Sequence, residues 1–117
     1  MKKIKLDFDD FILTAKLFDI NTAKSLVEIL PCKIELIKWG DELYGPLDLN
    51  VKEESLIPNI PEGGIAYTNR GNYLCIFYGQ TPAWPVEHIG EIEGDSWKKL
   101  RGKPCLASVK ISLDLNE

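Results

Sequence analysis

A chain of 117 residues is long enough for one hydrophobic core and too short for two. Hydrophobic residues at 44% and charged residues at 27% are ordinary for a globular fold and exclude an intrinsically disordered chain. Fourteen Lys and Arg against eighteen Asp and Glu leave a net charge of −4. That balance argues against nucleic acid as a partner, because phosphate contacts draw most of their affinity from basic side chains.

The first segment, Met1-Lys2-Lys3-Ile4-Lys5, is basic and then alternates with acids instead of opening an apolar run, so no signal peptide is expected. Ile4, Leu6 and Phe8 fall on one face of a strand. Asp9-Asp10 supplies a turn, and Phe11, Leu13, Ala15 and Leu17 alternate along a second strand to complete a hairpin. The period then changes. Ala23, Leu26, Val27 and Leu30 form the stripe of an amphipathic helix over residues 22–30, with Asn21 or Thr22 as its cap and Pro31 as its stop.

Downstream, period two returns. Strands are expected over residues 33–39 and 42–49 around a Gly40-Asp41 turn, and Pro58, Pro61, Gly63 and Gly64 mark an irregular connection. Residues 64–69 and 73–78 flank an Arg70-Gly71-Asn72 turn, and the run Tyr73-Leu74-Cys75-Ile76-Phe77-Tyr78 is apolar on both faces, as a strand covered on both sides requires. A loop over residues 79–86 leads to a strand over residues 87–93, then to a short helical turn over residues 96–100 capped by Asp95. In residues 105–115 the odd positions are apolar and, Leu106 aside, the even ones polar, a strand with one wet face. The longest uncharged stretch, residues 71–86, is too short to cross a bilayer and is interrupted by Gly79, Pro82 and Pro85. About eight short strands and one real helix describe a mainly β single domain over residues 1–117, either a small barrel or a sandwich.

Two stretches resemble a known family. Gly64-Ile65-Ala66-Tyr67, Gly71, Leu74-Cys75-Ile76-Phe77-Tyr78-Gly79 and Thr81-Pro82 resemble the signature of small prokaryotic cyclophilin-like proteins. Trp39-Gly40-Asp41-Glu42-Leu43-Tyr44 is similar to that family's second motif, Trp-Gly-acid-Glu-aliphatic-Tyr. Leu17-Phe18-Asp19 and the helix after it look like the strand-to-helix entry of true cyclophilins. The resemblance implies a closed antiparallel β-barrel of about eight strands, one end plugged by the early helix.

The same resemblance implies prolyl isomerase chemistry only where its residues are present. True cyclophilins use an Arg, then a Phe and a Gln, and an aromatic slot for the proline ring. A guanidinium donor weakens amide resonance while the slot holds the ring as it turns. Here the arginines are Arg70 and Arg101, and neither begins an Arg…Phe…Gln pattern; residues 39–60 hold no Arg, Phe or Gln. No catalytic residue is therefore assigned. The expected function is a binding module, with an isomerase of rebuilt site using Arg70 as the alternative.

Trp39, Glu42, Tyr44, Tyr67, Arg70, Phe77, Gln80 and Trp84 are the candidate cleft. Aromatic rings with a few polar groups make small-ligand or extended-peptide pockets, although aromatic residues in strands also fill cores, and both roles stand open here. Trp84, between Pro82 and Pro85, is the strongest candidate for an exposed contact. His88, the single histidine, lacks a local nucleophile or further ligands; Glu87, Glu91 and Glu93 share a strand phase with His88 on the opposite face, and a solvated strand face is expected. Cys32, Cys75 and Cys105 show no Cys-x-x-Cys spacing and read as free buried thiols of a cytoplasmic protein. Lys98, Lys99, Arg101 and Lys103 decorate a solvated turn or meet an acidic partner. No metal, cofactor, phosphate-binding loop or membrane partner is expected, and the oligomeric state is left open.

Overall fold

In the computed structural model, residues 2–52 and 54–115 are described. The opening hairpin is β1 (Lys3–Asp7) and β2 (Ile12–Leu17), followed by α1 (Asn21–Glu28), β3 (Cys32–Trp39) and β4 (Glu42–Pro46). Then come a two-residue β5 (Leu56–Ile57), β6 (Gly64–Thr68), β7 (Tyr73–Phe77), β8 (Val86–Ile92), a 3-10 helix (Ser96–Gly102) and β9 (Leu106–Leu113). All strand pairs are antiparallel. The ring β1-β9-β3-β4-β7-β6-β8-β2 closes through β2–β8 pairing, and β5 adds to β8 outside it. The result is a closed eight-stranded barrel with one extra strand.

Alternation decides what lies inside. Ile4 and Leu6 of β1, Leu13, Ala15 and Leu17 of β2, Ile34 and Leu36 of β3, and Val109 and Ile111 of β9 join Leu74 and Ile76 of β7 in one interior cluster. Helix α1 adds Ala23 and Leu26, and the 3-10 helix adds Leu100. The barrel is thus packed by side chains, as small barrels are.

Several expectations are corrected. The cap of α1 is Ile20, with no side-chain cap bond, because the Asn21 amide donates to Glu54 and the Thr22 hydroxyl donates to the buried carboxylate of Glu87. Asp95 makes no cap bond either; it ion-pairs with Lys98 at 3.6 Å. The strand after Gly40-Asp41 ends at Pro46 instead of continuing to 49, and β5 lies in a segment expected to be irregular. Strand β9 begins at Leu106, so Cys105 and Leu115 fall outside it and are exposed, and Leu106 is 68% exposed. Of the cysteines, Cys75 alone is buried; Cys32 is half-buried, and all three thiols are free. Lys103 is not simply solvated: its ammonium meets Asp10 at 2.9 Å and lies 5.2 Å from the ring centres of Phe8 and Phe11.

Strand β8 carries the largest correction. Its pairing with β6 shifts between Ile65–Gly90 and Ala66–His88, a β-bulge that leaves Ile89 as the additional residue. The bulge breaks the simple alternation, so Glu87 and Glu91 do not share a wet face. Glu87 opposes Tyr67 and is 2% exposed, whereas Glu91 is exposed. His88 is half-buried with its ring edge-on to Phe18 at 4.8 Å, and burial pulls its pKa below the usual histidine value.

A candidate aromatic cleft with a buried carboxyl

The outward-facing residues of β4, β6 and β7 build a second apolar cluster on the outside of the barrel. The register makes this unavoidable. Glu42 pairs with Phe77 and with Trp39, Tyr44 with Cys75, and Ala66 with Cys75, so these side chains stand on one face. Phe77, Cys75, Ala66, Val86 and Ile60 are buried there, with Tyr44, Tyr73 and Trp84 packed against them. This is the reason the run from Tyr73 to Phe77 is apolar on both faces: Leu74 and Ile76 serve the barrel interior, Cys75 and Phe77 the outer cluster.

Between these residues and the Pro82-Ala83-Trp84 loop lies a cavity of about 310 Å³. Trp39, Glu42 and Tyr44 line one side, Tyr73, Cys75 and Phe77 the floor, and Thr68 and Trp84 the other. The Tyr44 and Tyr73 rings meet edge-to-face at 5.3 Å. The Trp84 indole N–H donates to the Thr68 hydroxyl at 3.0 Å, which fixes the loop over the sheet, and the Arg70 guanidinium lies 4.6 Å from the Trp84 ring centre on the rim.

The structure therefore brings together five of the eight candidates: Trp39, Glu42, Tyr44, Phe77 and Trp84. Trp84 is half-buried in the wall, and Trp39, 48% exposed, is the open edge. Arg70 is exposed beside the cleft. Gln80 lies elsewhere, its side-chain oxygen accepting from the Asp41 N–H at 3.4 Å and its amide packed over Gly40, where φ of +59° favours glycine. Tyr67 is in the barrel interior with no exposed surface; its hydroxyl donates to the Leu47 carbonyl at 2.7 Å and accepts from the Leu49 N–H at 3.1 Å. The alternation along β6 had a signal for this, since Tyr67 shares its phase with Ile65, not with Ala66. Thr68, Tyr73 and Cys75 are lining residues that sequence reasoning missed, and their common phase with Phe77 on paired strands is the signal that finds them.

Glu42 is the chemical feature of the cleft. It is 6% exposed, and burial pushes its carboxyl from 4.5 up to about 7, with the Cys75 thiol as the hydrogen-bonding group that meets it. The same carboxyl and its own burial push the Cys75 thiol far up, out of the range of a nucleophile. Among the described residues no Lys, Arg or His forms an ion pair with Glu42. Glu87 is equally buried but is satisfied: its oxygens accept from the Thr22 hydroxyl and, at 3.3 Å each, from the N–H groups of Glu54 and Ser55.

A second cavity, of about 430 Å³, lies beside α1 against Leu17, Phe18 and Ala23. Of its charged residues Lys24 pairs with Asp19 at 3.4 Å, and Lys2 lines it as well. Among the described residues no group of three or more His, Cys, Asp or Glu is placed to hold a metal ion, and no helix is long and apolar enough to cross a membrane.

A closed eight-stranded barrel with helix α1 packed into its core is the cyclophilin architecture, and the comparisons agree. The cyclophilin-like family model matches residues 2–112, and the chain belongs to that family. The fold is shared with the solution structure of the hypothetical protein AF2241 from Archaeoglobus fulgidus: TM-score 0.81, 25% identity, over 97% of this chain and 95% of that one. It is also similar to McbB, solved in complex with tryptophan, with TM-score 0.76 and 18% identity over 97% of this chain and 45% of that one. No curated protein matches.

Proposed function

We propose that this protein is a non-catalytic binding module that holds a small molecule or a short extended peptide segment in the cleft walled by Trp39, Tyr44, Phe77 and Trp84. The observation that carries this reading is the buried Glu42 carboxyl facing an aromatic cavity of about 310 Å³, met by a thiol and, among the described residues, by no ion-pair partner. Pockets for small ligands have this make-up, apolar walls with few polar groups that fix orientation. McbB, which shares the fold over 45% of its length, has been solved in complex with tryptophan. Isomerisation is the less favoured reading. Arg70, its candidate guanidinium, is exposed and stacked on Trp84 at the rim, and Gln80 braces the Gly40-Asp41 turn.

Two measurements test the proposal together. Chemical-shift titration with a small-molecule and peptide library yields ligands whose binding weakens at least about tenfold in Trp84→Ala and Tyr44→Ala, the size of losing one well-packed aromatic contact. A proline-peptide exchange assay on the intact protein gives the uncatalysed rate. Ligand binding unchanged by both substitutions, or exchange faster than background, contradicts the reading.

A further inference from the structure

Resting on that reading of the cleft, we infer that its ligand is a small organic cation, an alkylated ammonium ion held between the aromatic walls with Glu42 as its counter-charge. Three observations carry this. First, the cavity presents five aromatic side chains, Trp39, Tyr44, Tyr73, Phe77 and Trp84. Ring faces attract a cation through their quadrupole, most strongly where water is excluded. Second, a carboxyl group stands among those rings at 6% exposure with no cation of the chain paired to it among the described residues. Third, the other buried carboxylate among the described residues is tied down by donors. Glu87, at 2% exposure, collects one hydroxyl and two backbone donors, whereas Glu42 meets a thiol and faces open cavity. A buried carboxylate without a partner is costly, and a bound ammonium supplies the partner.

The neighbouring charges fit this assignment. Arg70 spends its guanidinium on Trp84 from the exposed rim, where water and salt screen it. The cavity, at about 310 Å³, is at the small end of ligand pockets and suits a compact head group.

The test compares choline with its neutral isostere 3,3-dimethylbutan-1-ol by calorimetry and chemical-shift titration at pH 8.5, where Glu42 is ionised. The two probes share shape and hydroxyl and differ in charge. Choline is expected to bind at least about tenfold more tightly than the alcohol, with shifts at Trp39, Tyr44 and Trp84. Glu42→Gln keeps the side-chain volume and removes the charge, and it is expected to bring the two probes within about twofold of each other. Its thermal melt verifies that it is folded. Equal binding of both probes by the native protein overturns the cation assignment while leaving the cleft as a ligand site. So does a choline preference that persists in Glu42→Gln. Binding of neither probe also overturns the cation assignment, and the fate of the cleft is then decided separately by the library titration with Trp84→Ala and Tyr44→Ala.

Discussion

The behaviour of two glutamates separates what this chain needs in order to fold from what it holds in reserve. Glu87 is buried and tied to Thr22, Glu54 and Ser55; Glu42 is buried and faces a cavity. The consequence for stability is specific in sign. The Glu42 carboxyl stands at about 7 in the folded protein against 4.5 ordinarily, so the folded state keeps a proton that the unfolded chain releases. Its contribution is complete below pH 4.5 and declines as pH rises through about 7, a loss of about 3 kcal/mol across the window. Tyr44 and Cys75 line the same cleft, so the native protein is best compared with Glu42→Gln, which lacks this one titration. Urea unfolding from pH 4.5 to 8 is expected to show the variant gaining on the native protein by that amount; parallel curves contradict it. The thiols grade in the same way by burial. Cys105 is expected to react with a disulfide reagent at once, Cys32 more slowly, and Cys75 only on unfolding, because burial and Glu42 keep it protonated. Rapid labelling of Cys75 in the native protein would contradict that order.

At the scale of elements, period two made β1, β2, β3 and β9 legible, and the Arg70-Gly71-Asn72 turn between two apolar runs made β6 and β7 so. One wall of the cleft was legible too, because Trp39, Glu42 and Tyr44 lie around the Gly40-Asp41 turn, and so was Phe77 of the floor from the central hairpin, whereas Tyr73 and Cys75 beside it were missed. What stayed hidden depends on contacts distant in sequence. The bulge at Ile89 reverses the phase of β8, which sent Glu87 inward and His88 against Phe18. The cap of α1 failed for a related reason, since the Thr22 hydroxyl is claimed by a carboxylate 65 residues away. Strand β5 is two residues long, too short for any periodicity to register. Tyr67 was grouped with the cleft by its neighbours in sequence although its phase assigns it to the interior. The Thr22–Glu87 tie joins α1 to β8, and it sets a prediction at this scale. Thr22→Val preserves shape and removes the donor, leaving a buried carboxylate short of one bond, and is expected to cost about 2 kcal/mol. Chemical denaturation measures it, and a loss below about 0.5 kcal/mol would show that the tie is incidental.

For the whole molecule, the barrel and the cleft answer to different constraints. The interior needs apolar volume in alternate positions, and Leu, Ile and Val supply it with little regard to identity. The outer face of β4, β6 and β7 needs no such filling, yet it carries aromatic side chains and a buried carboxyl. Membership of the cyclophilin-like family accounts for the barrel; it does not by itself account for that face, because function is carried by sites and not by folds. The absence of an Arg…Phe…Gln pattern and the position of Arg70 on the rim turn the reading from isomerase to binding. The measurement that tests this most directly is crystallographic fragment soaking of the native protein. The account predicts fragments seated between Trp39, Tyr44 and Trp84 with a polar group against Glu42. Fragments gathered in the cavity beside α1, with the aromatic cleft left empty, would contradict it.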